Sequence, residues 1–234
     1  MDKSQLAQMI DHTLLKPEAT QRDIQLLCEQ AREFGFFSVC VNPCWVSLSR
    51  SILESQKVRV CGVAGFPLGA NKSSIKAKEA EQIVSDGGTE VDMVLNIGRL
   101  HQKDFRYVED DITAVRKAIG KETTLKVIIE AAILNDELKR DAARIVCEAG
   151  AQFIKTSTGF SAAGGATVAD VALLHSLVAP RAKVKAAGGI RNLQTALEMA
   201  HAGASRLGCS AGVAIIKELM RESVGAHQEG ASAY

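Results

Sequence analysis

Two lysines, Lys155 and Lys185, lie in apolar, strand-like segments where a charged side chain is costly to bury. Lys155 is in AQFIKTSTGF and Lys185 is in AKVKAAGGIR, and each segment opens into a glycine-rich loop. Burial and a second nearby cation both favour the neutral form of a lysine, which can attack a carbonyl carbon. The pair therefore indicates Schiff-base chemistry. The alternative is that one or both side chains extend from a strand end into water.

A carboxylate lies in a third apolar segment. Asp92 is flanked by apolar residues in EVDMVLNIG, and a buried carboxylate without a cation or hydrogen-bond donors is strongly destabilising. Lys155 and Lys185 are the obvious partners. Two explanations remain open at this stage, because a catalytic proton carrier and a structural ion pair or cap both place a carboxylate near cations.

Length and composition restrict the classes of function. The chain has 234 residues, of which 47% are hydrophobic, and a formal net charge of +1. This is enough for a substantial core in one domain or two small ones. The near-neutral charge offers no electrostatic footprint for nucleic acid, and the 4% aromatic content offers few surfaces for stacking bases. Small metabolites are therefore the favoured ligands.

The sequence predicts a cytoplasmic protein with reduced thiols. The first residues, MDKSQLAQMIDHTLLKPE, lack the apolar core of a signal peptide, and no apolar run approaches the ~20 residues that span a bilayer. Six cysteines are scattered through apolar segments without the spacing of a zinc site or the density of a disulfide scaffold. They are Cys28, Cys40, Cys44, Cys61, Cys147 and Cys209.

Short β-branched runs alternate with longer amphipathic stretches along the chain. Near-continuous apolar strands are typical of parallel sheets that are buried on both faces. The eight candidate strands are Met9–His12, Ser38–Asn42, Arg59–Phe66, Glu90–Asn96, Thr124–Glu130, Phe153–Thr156, Ala182–Ala186 and Arg206–Ser210. The predicted helices include Gln21–Glu33, Ser73–Asp86, Asp104–Ile119, Asp136–Ala149, Val168–Val178, Leu193–Ala202 and Val213–Arg221.

Three helix-to-strand junctions repeat a pattern of small residues around Gly87, Gly150 and Gly203. Glycine just after a helix, followed by a strand, explains each junction. The repetition favours a β/α-repeat architecture, although periodicity alone leaves a doubly wound sheet open. After the last helical stretch, residues 225–234 lack apolar periodicity and are predicted to be mobile.

Polar side chains end several of the candidate strands. In a (β/α)8 barrel the carboxyl ends of the strands converge on one mouth, so such residues would share an active site. They are Asp11, Thr13, Cys40, Asn42, Asp92, Asn96, Glu130, Lys155, Lys185 and Ser210. Glycine-bearing segments follow the late strands at Thr158-Gly159, Gly188-Gly189 and Gly208-Cys209-Ser210. Loops of this kind can bind a phosphate through backbone amides, although glycine also serves ordinary turns.

Seven segments together resemble the bacterial deoxyribose-phosphate aldolases. They are IDHTLLKP, VCVNP, EVDMVLNIG, LKVIIE, FIKTSTGF, KAAGGIR and GCSAG, between Ile10 and Gly212. The resemblance implies a single-domain TIM (β/α)8 barrel with a short N-terminal helix over residues 1–224, and a flexible tail over residues 225–234. It also implies a class I aldolase of deoxyribose catabolism. Such an enzyme reversibly cleaves 2-deoxy-D-ribose 5-phosphate to D-glyceraldehyde 3-phosphate and acetaldehyde without a metal or other cofactor.

The resemblance assigns roles to individual residues. Lys155 is the Schiff-base nucleophile, Lys185 is the neighbouring cation that favours its neutral amine, and Asp92 donates and accepts protons. Asp11, Thr13 and Cys40 line the substrate pocket. The phosphate site corresponds to Thr158, Gly159, Gly188, Gly189, Arg191, Gly208 and Ser210.

Two positions qualify this assignment. Phe160 stands where some members of the family carry a lysine, so amides and hydroxyls are expected to contribute more of the phosphate binding. Tyr234 ends the chain, and in some members a terminal tyrosine enters the site, which makes Tyr234 a candidate for proton transfer. A disordered end without a role is the alternative.

Two rival functions remain. One is another lysine-dependent barrel aldolase, such as a transaldolase-like enzyme, and the other is a catalytically silent barrel that binds phosphosugars. The expected partners are small phosphosugars and aldehydes, with no nucleic acid and no membrane. A homodimer is compatible with the family, but no surface stripe in the sequence identifies an interface.

Overall fold

Eight parallel strands form a closed barrel. The computed structural model describes residues 1–54 and 57–231, with side chains described as far as Glu222. The strands are β1 Ile10–Leu14, β2 Ser38–Val41, β3 Arg59–Ala64, β4 Glu90–Val94, β5 Thr124–Ile128, β6 Phe153–Lys155, β7 Lys183–Ala187 and β8 Ala204–Cys209. Each strand pairs with the next in sequence, and β8 pairs with β1. The predicted TIM (β/α)8 barrel is confirmed.

All eight predicted strands are present, but several end earlier than predicted. The polar residues at their ends leave the sheet to shape the loops above it. Asn96 caps the next helix by accepting a hydrogen bond from the amide of Arg99, and Glu130 has a left-handed backbone with φ of 53°. A residue in that conformation cannot continue a strand.

Ten helices surround the barrel in the described part of the chain. They are α1 Lys3–Ala7, α2 Gln21–Phe34, α3 Val46–Leu53, α4 Ser73–Ser85, α5 Ile97–His101, α6 Phe105–Ile119, α7 Asp136–Glu148, α8 Val168–Val178, α9 Leu193–His201 and α10 Gly212–Ala231. The sequence analysis did not single out α3 or α5, because each is too short to show a clear helical period. None of the described helices is both long and apolar enough to cross a lipid bilayer.

Glycine follows the end of three helices, as the repeated pattern of small residues predicts. Gly87, Gly150 and Gly203 have φ of 91°, 75° and 107°, in the region that favours glycine. In each case the chain turns there and enters the next strand, so the junctions are short and hold each helix against the sheet.

The last helix is longer than its apolar spacing suggests. α10 continues to Ala231, about ten residues beyond Arg221, where the predicted helix ends. Ala226, Gln228 and Glu229 are compatible with a helical backbone. The mobility of residues 225–234 stays a prediction, and residues 232–234, including Tyr234, lie outside the described part of the chain.

The main hydrophobic core lies between the sheet and the helices, whereas charged groups fill much of the barrel interior. Apolar side chains such as Val39, Val91, Val127 and Ile154 are buried in this outer layer. Barrel interiors are ordinarily filled by branched apolar side chains. The interior charges therefore mark the part of the molecule that is built for something other than stability.

Candidate active site

The register of the sheet brings the two predicted lysines together. Lys155 on β6 and Lys185 on β7 are direct neighbours across the strand pair. Their side chains converge on Asp92 of β4: Nζ of Lys155 lies 2.8 Å from Asp92 Oδ2, and Nζ of Lys185 lies 2.6 Å from the same oxygen. The side chains of two lysines thus share one carboxylate oxygen inside the barrel.

Burial decides between the alternatives that the sequence left open for the lysines. Lys185 and Asp92 are fully buried, and Lys155 is 2% exposed. Neither lysine extends from its strand end into bulk water. Because an isolated charge at such depth is strongly unfavourable, the three groups depend on one another for stability.

A second set of charges lies beneath this triad. Asp11 Oδ2 is 2.6 Å from Lys185 Nζ, and Asp11 Oδ1 accepts hydrogen bonds from Nε of Arg206 and from Oγ of Ser38 at 2.9 and 2.6 Å. Arg206 therefore fixes the position of the Asp11 carboxylate, and Asp11 forms an ion pair with Lys185.

Lys126 completes the network from the neighbouring strand. Its Nζ lies 2.8 Å from Asp92 Oδ1 and 2.5 Å from Oε2 of Glu90. Glu90 Oε2 is also 3.0 Å from Nη2 of Arg206. Four cations and three carboxylates thus form one connected group, and every carboxylate contacts at least two cations.

The network fixes the charge states of its members. Burial alone would raise the pKa of Asp92, but Lys126, Lys155 and Lys185 hold that pKa well below its ordinary value. Burial alone would lower the pKa of Lys185, but Asp11 and Asp92 outweigh it and raise that pKa. The same balance, with Asp92 as the main carboxylate, raises the pKa of Lys126. Asp92 is therefore a carboxylate, and Lys185 and Lys126 are ammonium ions, across the physiological pH range.

Sequence reasoning did not assign Lys126, Glu90 or Arg206 to the site. Each lies within or next to a predicted strand, so a signal was present. Glu90 is two residues before Asp92 and therefore faces the same side of β4. Lys126 lies between the apolar residues Leu125 and Val127, so it interrupts an apolar run as Asp92 does.

A cavity of about 380 Å³ opens above the network at the carboxyl ends of the strands. Of the seven charged side chains of the network, only Lys155 lines it. All seven residues of the predicted phosphate site line it as well: Thr158, Gly159, Gly188, Gly189, Arg191, Gly208 and Ser210. Lys16, which the sequence analysis passed over, adds a second cation beside Arg191. The cavity thus contains the Lys155 amine together with cations and glycine-rich loops that suit a bound anion.

Glycine is required at Gly188 by the path of the chain. Its φ is 84°, in the region that favours glycine, and a Cβ there would lie 3.0 Å from Cα of Gly165. Glycine is also required at Gly165, where a Cβ would lie 2.2 Å from the Gly188 carbonyl oxygen. This close contact between the loops after β6 and β7 fixes the backbone around the cavity.

Thr158 differs from the other predicted phosphate residues because its donors are already occupied. Its hydroxyl donates to Glu130 Oε2 at 2.5 Å, and its amide donates to the same carboxylate at 3.3 Å. The hydroxyl also accepts from the amide of Phe160 at 3.0 Å. Glu130 and Thr158 therefore shape the loop rather than present free donors to the cavity.

The three predicted pocket residues lie at different depths. Thr13 lines the cavity, whereas Asp11 lies in the charge network below. Cys40 is also below, with its Sγ 4.0 Å from Asp92 Oδ2.

The absence of a side chain at Gly208 has a structural role beyond phosphate binding, because a Cβ there would lie 3.0 Å from Cε of Lys185. A side chain at Gly208 would push Lys185 away from Asp92.

All six cysteines are free, as predicted. Cys40 and Cys61 are direct neighbours across β2 and β3, and with Asp92 they form a group whose ligand atoms lie within 4.8 Å of one another. The sequence analysis missed this group because its members come from three strands. Asp92 already contacts the ammonium groups of Lys126 and Lys185, so like-charge repulsion opposes a metal cation there.

A family model described as DeoC/LacD family aldolase matches residues 5–218. The chain belongs to this aldolase family. This confirms the family that the sequence motifs indicated.

Relatives within the family are similar over nearly their whole length. Deoxyribose-phosphate aldolase 1 of Bacillus licheniformis is 53% identical over 215 residues, which cover 92% of this chain and 96% of that protein. Deoxyribose-phosphate aldolase of Enterococcus faecalis is 51% identical over 91% of this chain and 96% of its own. The solved tetrameric structure of deoxyribose phosphate aldolase from Aeropyrum pernix matches with a TM-score of 0.84 and 33% identity, over 91% of this chain and 89% of that chain.

Proposed function

We propose that this protein is a class I aldolase that reversibly cleaves 2-deoxy-D-ribose 5-phosphate to D-glyceraldehyde 3-phosphate and acetaldehyde. Its relatives of about 50% identity are deoxyribose-phosphate aldolases. The observation that carries the mechanism is the pair of buried lysines on one oxygen of Asp92, of which Lys155 alone reaches the cavity.

Lys155 is the nucleophile in this proposal. Its amine attacks the substrate carbonyl after losing a proton, and Asp92 Oδ2, 2.8 Å from Nζ, is within reach of that proton. Loss of water from the carbinolamine gives a protonated imine. The imine withdraws electrons from the adjacent carbon, so cleavage of the carbon-carbon bond leaves an enamine instead of a carbanion.

Asp92 and Lys185 move protons around this centre. Their contact of 2.6 Å lets a proton pass between the ammonium and the carboxylate as the substrate hydroxyl is deprotonated and the carbinolamine loses water. Lys185 also opposes a second positive charge on the same oxygen, which favours the neutral amine of Lys155. General acid–base assistance of this kind typically contributes about 100- to 10,000-fold in rate.

The phosphate of the substrate is proposed to bind at the glycine-lined rim. Arg191 and Lys16 supply positive charge, and Ser210 and the backbone of Gly188 and Gly189 supply donors. Phe160 lines the same cavity and is half exposed. The apolar ring contributes no charge, so the phosphate depends on the other groups.

An assay with two substrates tests the function. The account predicts release of acetaldehyde from 2-deoxy-D-ribose 5-phosphate and little cleavage of a ketose phosphate donor. The reverse preference would support the transaldolase-like rival, since a larger donor needs additional hydroxyl-binding groups near Lys155. No cleavage of either compound would support the silent phosphosugar-binding barrel.

No metal is expected to take part. The protonated imine supplies the electron sink that a metal-dependent aldolase obtains from a divalent ion. Exhaustive dialysis against EDTA should therefore leave the cleavage rate unchanged. A loss of activity that added zinc restores would contradict this mechanism.

Tyr234 is proposed to assist proton exchange at the enamine carbon. Replacing it with phenylalanine should lower kcat more than it raises KM, because the hydroxyl would act mainly in the transition state. The measurement compares cleavage rates and the incorporation of solvent deuterium into acetaldehyde in the two proteins. Equal values would mean that the end of the chain has no catalytic role.

The remaining expectations concern partners and location. Small phosphosugars and aldehydes are the proposed partners, and a cytoplasmic location and a homodimer stay predictions. Size-exclusion chromatography with light scattering measures the oligomeric state directly.

A further inference from the structure

A second cavity lies at the opposite end of the barrel from the candidate active site. It has a volume of about 460 Å³, within the range of small-molecule sites. Its walls include the first residues of five consecutive strands, β3 to β7: Arg59, Glu90, Thr124, Phe153 and Lys183. We call it the lower cavity. No step of the proposed aldolase reaction uses it.

The charges around the lower cavity are strongly unbalanced. Arg59, Arg181, Lys183 and Arg206 line it, against the single carboxylate of Glu90. The whole chain carries a formal net charge of only +1. Cations concentrated around a concave surface focus their field into the cavity and attract anions.

Two of these cations are fixed in place by their neighbours. Arg206 is 4% exposed and is bound by Asp11 and Glu90, and its guanidinium lies 3.5 Å from the centre of the Phe37 ring. Arg59 Nη1 is 3.5 Å from Glu90 Oε1, and its guanidinium lies 5.1 Å from the same ring. Together these two guanidinium groups form a positively charged floor of the lower cavity.

The other two cations form no ion pair with any of the described residues. Arg181 and Lys183 are exposed, and neither lies within ion-pair distance of a carboxylate in the described residues. Arg181 lies two residues before Lys183, which is the first residue of β7. Their two positive charges are therefore free to pair with a ligand.

We propose that the lower cavity binds a small dianion that carries a phosphate group. The charge of a phosphate monoester or of inorganic phosphate matches the two unpaired cations. The planar guanidinium of Arg181 suits two phosphate oxygens, and Lys183 adds a point charge beside it. The ligand lies against the floor formed by the guanidinium groups of Arg59 and Arg206.

This floor connects the lower cavity with the candidate active site. Arg206 holds Asp11, which contacts Lys185, and Glu90 contacts Lys126, which contacts Asp92. An anion that draws Arg206 toward itself weakens its hold on Asp11. We therefore expect occupancy of the lower cavity to lower kcat.

Calorimetric titration with inorganic phosphate tests the site. The double variant Arg181→Gln/Lys183→Gln should lose one binding site per chain relative to the unaltered protein. A matched double variant, Arg32→Gln/Arg140→Gln, removes two exposed charges that line neither cavity and should retain it. Equal stoichiometry and affinity in all three proteins would overturn the proposal. This readout does not depend on aldolase activity, so its failure is distinguishable from failure of the proposed function.

The link to the active site rests on the proposed function and is tested by the kcat for solvent deuterium exchange into acetaldehyde. Acetaldehyde carries no phosphate group, so it does not itself occupy the lower cavity. Added phosphate should lower kcat in the unaltered protein and in the Arg32→Gln/Arg140→Gln control. It should leave kcat unchanged in Arg181→Gln/Lys183→Gln. The same response in all three proteins would overturn the link.

Discussion

Replacement of Lys155 with leucine is expected to abolish cleavage of 2-deoxy-D-ribose 5-phosphate while the barrel still folds. The substitution removes the proposed nucleophile, and no other amine of the network lines the cavity. Asp92 keeps two cationic partners, Lys126 at 2.8 Å and Lys185 at 2.6 Å. Its buried charge is therefore still compensated, and an apolar side chain replaces a costly buried amine.

The Lys155 prediction is checked by steady-state kinetics together with circular dichroism and thermal unfolding. Lys117→Leu, at an exposed position of α6, is a control that should retain full activity. Substantial cleavage by a folded Lys155→Leu protein would exclude Lys155 as the nucleophile.

Replacement of Lys185 with leucine should lower kcat by about 100- to 10,000-fold, the usual contribution of general acid–base catalysis. It should also move the remaining activity toward alkaline pH. The raised pKa of Lys185 keeps it charged over the working pH range, so its removal takes away a permanent positive charge beside Lys155. More of the Lys155 amine then stays protonated at neutral pH and becomes reactive only as the pH rises.

The measurement for Lys185 is the pH profile of kcat/KM. A purely structural defect would lower kcat/KM at every pH without shifting the profile along the pH axis. A normal rate with an unchanged profile would contradict the role of Lys185. The variant also leaves Asp11 with Arg206 as a cationic partner, so the carboxylate below the site is not left unpaired.

The sequence predicted the barrel and the contact of Asp92 with Lys155 and Lys185 because both depend on local patterns. Apolar strands, helix-ending glycines and charges in apolar runs are visible within short windows. Asp92, Lys155 and Lys185 were recognised as partners because few other groups could compensate a buried charge. Glycine-rich loops after the late strands singled out three segments, and the family resemblance gave the seven proposed phosphate residues, all of which line one cavity.

Pairing across the barrel was not predictable in the same way. Arg206 and Asp11 are 195 residues apart in sequence, and only closure of the sheet between β8 and β1 brings them together. The hydrogen bond from the Thr158 hydroxyl to Glu130 likewise depends on the left-handed backbone of Glu130. Such contacts follow from register and loop geometry, which residue types alone do not specify.

Covalent trapping tests the central claim most directly. The protein is incubated with acetaldehyde and borohydride, digested, and analysed by mass spectrometry to locate the reduced ethyl adduct. The account predicts one modified lysine in the network, Lys155, with Lys126 and Lys185 unmodified because both are fully buried ammonium ions. An adduct on Lys126 or Lys185 instead of Lys155, or no adduct in a protein that cleaves its substrate, would contradict it.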